Sequence, residues 1–195
     1  MKKTTLVMAL SLAIGGLASV PASAAIAPGV TPGGNINFTG EVTNATCLIN
    51  GKTPNGSINM DIPLEKVSAS ELSFVGATAK PYSFSITLGG PNDPNCIDGS
   101  IASVYFEPSS PAISPNGWLK NTDNSSNGAT NVEIQILNAE TDTPINLASG
   151  IGNYSPKTIV NQTAQYNYVG RYVAVNGSAT PGQVASTVKY SIVYN

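Results

Sequence analysis

The chain has 195 residues, 41% of them hydrophobic and only 10% charged, which suits one domain with a real core and leaves too few charges for an electrostatic nucleic-acid binder. The formal net charge is −2, and it turns more acidic once Lys2 and Lys3, in a segment expected to be removed, are left out; nothing favours phosphate binding. There is no histidine, which removes the commonest general base and the commonest metal ligand together and excludes Ser–His and Cys–His catalysis.

Residues Met1 to Ala24 open with two lysines, continue through an apolar run from Leu6 to Ala18, and close on Pro21 and Ala22-Ser23-Ala24. This is the three-part pattern of a secretory signal peptide with a small-residue cleavage site, so residues 1–24 are expected to be lost and the mature chain to start at Ala25. An uncleaved anchor would want about 20 apolar residues and no such site.

From Val30 the residues Val30, Pro32, Gly34, Ile36 and Phe38 sit two apart, so an extended chain turns them to one side and Thr31, Gly33, Asn35, Asn37 and Thr39 to the other. Gly and Pro give this strand little propensity to hold itself in a sheet, so it needs a host surface. Glu41 to Ile49 alternates again, through Cys47. Gly56 to Ile62 alternates as a short strand, and Leu64, Val67 and Leu72 are spaced for one helical turn within Pro63 to Leu72.

Tyr82 to Leu88 reads as a strand, followed by a Gly-Gly-Pro-Asn-Asp-Pro turn into Cys96. With only two cysteines in an exported chain, Cys47 and Cys96 are expected to form a disulfide, the alternative being two free buried thiols; no third sulfur or imidazole makes them a zinc site. Further strands are expected at Ala102 to Phe106, Val132 to Leu137, Gln165 to Val175 and Ser186 to Tyr194, with Ile145 to Leu147 weaker. Strands punctuated by Gly, Pro, Asn and Asp, with almost no helix, describe a β-sandwich.

Candidate chemistry is sparse. Asp123 to Gly128 has the oxygen spacing of a calcium loop, but Ile134 stands where its glutamate belongs, so a solvated turn is expected and no metal. The acids are scattered, and the sequence does not pair any two of them. Trp118, the sole tryptophan, reads as core or loop plug sooner than as a sugar platform, and Arg171, inside a strand, as structural. No cofactor and no catalysis are expected. The last strand places Val188, Tyr190, Ile192 and Tyr194 on one face; on pattern alone it is either a central strand that ends the chain or an edge strand, and such an apolar strand at a sheet edge recruits other chains.

Gly33-Gly34-Asn35-Ile36-Asn37-Phe38-Thr39-Gly40-Glu41-Val42-Thr43-Asn44-Ala45-Thr46-Cys47 is similar to the start of pilins of the chaperone–usher pathway, of the type 1 fimbrial subunit family. Cys96, Thr130 to Leu137, Gly170-Arg171-Tyr172, Ala179-Thr180-Pro181-Gly182 and the penultimate Tyr194 resemble that family's later landmarks, in order. The resemblance implies an all-β, incomplete immunoglobulin-like β-sandwich lacking its final strand. Residues 25–39 would be an N-terminal donor-strand extension and residues 40–195 the pilin domain. It implies Val30, Pro32, Gly34, Ile36 and Phe38 as donor residues, and Val188, Tyr190, Ile192 and Tyr194 as acceptor groove and chaperone-pairing strand. The implied partners are neighbouring pilin subunits, a periplasmic chaperone and an outer-membrane usher, and the implied place is a fimbria outside the cell, supporting adhesion. The competing expectation is a secreted or tip-located carbohydrate-binding adhesin or lectin module.

Overall fold

The computed structural model describes residues 46–56 and 58–195, together with Asn35 and Asn37 as single positions. The chain divides into two units, Met1–Val42 and Thr43–Asn195, and the second carries the architecture below. The expected signal peptide, the donor residues Val30, Pro32, Gly34, Ile36 and Phe38, and the boundaries near residues 24 and 39 lie outside the described residues.

Among the described residues, eight strands follow one 3-10 turn at Ala69–Leu72: β1 Thr78–Gly89, β2 Ile101–Phe106, β3 Leu119–Lys120, β4 Val132–Asn138, β5 Thr143–Pro144, β6 Lys157–Thr158, β7 Thr163–Ala174 and β8 Tyr190–Tyr194. They form two antiparallel sheets, one in the order β1-β7-β4-β3 with β5 beside β4, the other in the order β6-β2-β8. The strands expected at Tyr82 to Leu88, Ala102 to Phe106, Val132 to Leu137 and Gln165 to Val175 appear as β1, β2, β4 and β7, whereas Ile145 to Leu147 forms no strand and follows the short β5. The first sheet bends where Lys80, at φ 51°, shifts the β1–β7 register between Ala79 and Tyr82. Pro81 cannot donate to a ladder, and a bulge is where a strand tolerates it.

The main core lies between the sheets. Ile86 and Leu88 of β1, Tyr166 and Tyr168 of β7 and Ile136 of β4 meet Ala102, Val104 and Phe106 of β2. Tyr166 is buried, and its hydroxyl donates to the Ala102 carbonyl at 2.5 Å, tying one sheet to the other and satisfying the one polar atom its ring brings inside. Phe106 meets the Tyr168 ring edge-on at 5.2 Å. A smaller cluster, with Leu72, Val132, Tyr172 and Ala174, closes the far end.

Cys47 and Cys96 are joined, and both are buried. The loop into Cys96 is organised by buried Asp93, whose carboxylate accepts from the Leu48 N–H at 2.8 Å and the Asn95 N–H at 3.1 Å. Gly89 turns the chain at φ +70°; a Cβ there would stand 2.0 Å from the Gln162 carbonyl oxygen and 2.5 Å from Cys96 Sγ.

Three expectations change in detail. The helical turn is confined to Ala69–Leu72, where Ser68 caps it: Ser68 Oγ accepts from Ser70 N–H and the Glu71 carboxylate accepts from Ser68 N–H. The run from Gly56 to Ile62 alternates as expected, with Ile58, Met60 and Ile62 half-buried and Asn59 and Asp61 exposed, yet it joins no ladder. The last strand is shortened: Tyr190–Tyr194 pairs with β2, whereas residues 183–185 bond to the connection between β3 and β4, through Ala129 N–H to Gln183 O and Thr122 N–H to Ala185 O.

Two residues singled out in the sequence make side-chain hydrogen bonds near at hand. Asp123 Oδ1 accepts from Ser125 N–H at 2.9 Å, and the bonds from Ser125 hold that carboxyl below its ordinary pKa, as in a self-capped turn. Arg171 Nε donates to Gln135 Oε1 at 2.8 Å, directly across the β4–β7 ladder. Trp118 is half-buried beside β3 and belongs to neither core cluster.

Candidate functional site

β8 lies at the edge of its sheet, and beside it the sandwich is open. A groove of about 880 Å³ runs there between two walls. One wall is the chain from Ser186 to Ile192; the other is the unladdered run from Ile58 to Leu64. The floor is the inner face of the larger sheet: Phe84 and Ile86 of β1, Gly170 of β7, Ile134 and Ile136 of β4 and Leu119 of β3. Seven residues of wall at about 3.3 Å each give roughly 20 Å, the length of one ordinary strand.

The main chain along both walls is as telling as the side chains. Lys189 O accepts from Glu107 N–H and Asn195 N–H donates to Ile101 O, so alternate residues of β8 face β2. In an antiparallel ladder a residue's N–H and C=O point the same way, so Tyr190, Ile192 and Tyr194 direct theirs away from β2, along the groove. On the opposite wall, residues 58–64 make no main-chain ladder bond among the described residues. The cleft therefore has an apolar floor and two rims with hydrogen-bonding capacity, the geometry that accepts one extended peptide.

Val188, Tyr190 and Ile192 line this groove and pack against the main core. Tyr194 stands one step beyond the lining at the end of β8; burial raises its phenol's pKa, opposed by a hydrogen bond at the Cys47 main chain. Tyr190's hydroxyl donates to the Ile58 carbonyl at 2.9 Å, from one wall to the other, and burial raises its pKa as well. Ser186 breaks the apolar wall: its Oγ is the one buried side-chain polar atom without a hydrogen-bond partner among the described residues.

Sequence reasoning did not assign the second wall or the floor to the site. The alternation of Ile58, Met60, Ile62 and Leu64 was visible, and so was Gly170 inside a tyrosine-rich strand, where a missing side chain marks a close approach. In the structure a Cβ on Gly170 would only just touch Leu64 and Phe84, at 3.8 and 3.9 Å, so this glycine keeps the floor low.

The class is that of the antiparallel, immunoglobulin-like β-sandwiches, here with an open groove at one sheet edge. Residues 36–195 match the family described as fimbrial protein, and the chain belongs to it. It is 38% identical over 167 residues to the major fimbrial subunit SMF-1 of Stenotrophomonas maltophilia strain K279a, covering 83% of this chain and 92% of that one. It is 36% identical over 165 residues to the F17 fimbrial protein of Escherichia coli, covering 83% and 87%. Among solved structures it resembles a subunit of a chaperone–usher pilus with a TM-score of 0.54 at 18% identity, over 87% of this chain and 100% of that one. The protein is a structural fimbrial subunit, and no helix among the described residues is long and apolar enough to cross a membrane.

Proposed function

We propose that this subunit joins its neighbours by strand donation. Residues 25–39 of one copy lie as a strand in the groove of the next, with Val30, Pro32, Gly34, Ile36 and Phe38 facing the floor and the main chain bonding to both rims. Val188, Tyr190 and Ile192 form the acceptor wall, and Tyr194 ends it. The single observation that carries this reading is the groove itself, one strand long, apolar beneath and unladdered on both sides. Ile36 and Phe38 would each contribute about 1.5–3 kcal/mol if fully buried.

An open edge beside an apolar cleft aggregates unless something covers it, so a periplasmic chaperone strand occupies the groove before assembly and an outer-membrane usher is where the exchange takes place. The chain is exported with residues 1–24 removed, forms Cys47–Cys96 in the oxidising periplasm, and ends in a surface fimbria that supports adhesion.

Deleting Ala25 to Thr39 tests the reading. The expected product is a chaperone-bound monomer that accepts a strand and donates none. Heat-resistant oligomer ladders from that deletion, equal to those of the full chain, would overturn it.

A further inference from the structure

We infer that neighbouring copies in the fibre also dock end to end through two apolar groups, Ile97, Ile101 and Val160 of the copy that donates its strand against Phe74 and Val75 of the copy that receives it. The inference rests on the strand-donation reading and adds to it a second contact, made outside the groove.

Among the described residues eight large apolar side chains are exposed, and these five of them, 40% to 67% exposed, fall at the two ends of the sandwich. Phe74 and Val75 form the tip of the turn that leads into β1, held by Gly76 N–H to Ala174 O and Ala77 N–H to Phe74 O. The other three lie on joined turns at the far end of the same ladder: Ile97 follows Cys96, Ile101 opens β2, and Val160 N–H bonds to Thr163 O at the start of β7. The Asp98 carboxylate beside Ile97 is already bonded, accepting from Gln162 N–H at 2.6 Å. The β1–β7 ladder pairs Thr78 with Val173 at one end and Gly89 with Thr163 at the other, so about 35 Å separates the two groups. Neither can cover the other within one copy.

The groove and the tether bring the groups of different copies together. Tyr194 of β8 pairs with Ala102 and Asn195 N–H bonds to Ile101 O, so the first wall ends on the side of Ile101. Leu64, which lines the other wall, packs with Leu72 and Ala77, on the side of Phe74. Every strand pair in the two sheets is antiparallel, and a donor that continues this pattern beside β8 leaves the groove, past Phe38, at the end where Phe74 and Val75 stand. From there Thr39 to Ala45 lead to Thr46 and Cys47, and seven residues reach at most about 25 Å. Cys47 is bonded to Cys96, whose neighbour in the chain is Ile97. The tether thus starts beside one apolar group and ends beside the other. A link this short holds them at millimolar effective concentration, so a contact too small to pair free subunits forms within the fibre. It runs head to tail and repeats from copy to copy without closing.

The test is photo-crosslinking in fibres assembled from the full chain after release from the chaperone. With p-benzoylphenylalanine in place of Val75, irradiation joins that position to residues 97–101 or 158–160 of the neighbouring copy, read by mass spectrometry of the crosslinked peptides. The triple variant Ile97→Ser, Ile101→Ser, Val160→Ser changes exposed side chains alone, so it polymerises as the wild type does and loses that crosslink. Ile97→Ser by itself, which weakens the crosslink, covers the case in which the triple variant does not fold. Normal fibres without a crosslink, a crosslink from position 75 to any other surface of the neighbour, or one undiminished in these variants overturns the end-to-end contact. Failure of the wild-type chain to polymerise in the same assay would instead remove the strand-donation reading.

Discussion

Replacing Cys47 and Cys96 together by alanine is expected to lower the stability of the subunit by about 4 kcal/mol. The bond closes a loop with a sequence separation of 49, and in the chain-entropy account a loop of about 50 residues restricts the unfolded ensemble by roughly that amount at 25 °C. The native contribution is smaller, since Asp93 still holds Leu48 N–H and Asn95 N–H, and the strand edge still joins Gly89 N–H to Leu48 O. Both sulfurs are buried, so the alanines leave a small void on top of the entropy term. Against a typical total of 5–15 kcal/mol this loss is large. Guanidinium unfolding followed by tyrosine fluorescence checks it, and two quantities matter: the midpoint falls, and the slope m rises because the uncrosslinked unfolded chain exposes more surface. A loss below about 1 kcal/mol with an unchanged slope would refute the entropic reasoning and place the bond's effect in native packing alone.

Three further outcomes are expected. Gly89→Ala destabilises by several kcal/mol, since φ is +70° and the new Cβ strikes the Gln162 carbonyl and Cys96 Sγ; unchanged thermal unfolding would mean the turn relaxes freely. Ser186→Ala leaves the subunit as stable or raises its stability by about 1 kcal/mol in urea, because it removes a buried hydroxyl without a partner among the described residues; a clear loss would reveal a partner for it. Burial pushes the Tyr166 phenol from 10.0 up to about 12, so its neutral form stabilises the fold fully below pH 10, and that contribution fades as pH rises to about 12. Absorbance titration of the phenolate should therefore show Tyr166 ionising late, with unfolding, and loss of that delay in Tyr166→Phe would assign the signal.

The elements of this fold were legible wherever one face is buried and the other wet. Ile86 and Leu88 alternate with Ser85 and Thr87, and the β7 tyrosines alternate with Gln165 and Asn167, so period two named both strands. What periodicity does not carry is the partner. The run Ile58 to Ile62 has the same alternation and no ladder, because its side-chain pattern reflects the groove it borders rather than a neighbouring strand. Asn153 shows the opposite case: a polar residue in a loop whose buried side chain accepts from Phe106 N–H at 2.9 Å and donates to Phe106 O at 2.7 Å, doing a strand residue's bonding without belonging to a strand. Nothing local marks it. The acceptor wall was half legible, since the apolar face of Val188, Tyr190 and Ile192 was plain, whereas the floor is assembled from β1, β3, β4 and β7 and exists only after folding.

The pairing pattern also governs the order of events in time. Thr78 pairs with Val173 and Ala102 with Tyr194, so β1 and β2 find their partners only in the last quarter of the chain. Such distant closures make folding slow, and a chain that emerges from its amino end holds its early strands bare until the late ones arrive. The bond from Asn95 N–H to Asp93, two residues apart, can form early, but the sheet that bears the groove cannot. The interval before β8 docks is thus the period of greatest exposure to proteases and to mispairing, and a substitution that slows that docking would reduce the yield of fibres without altering a single contact in the finished one.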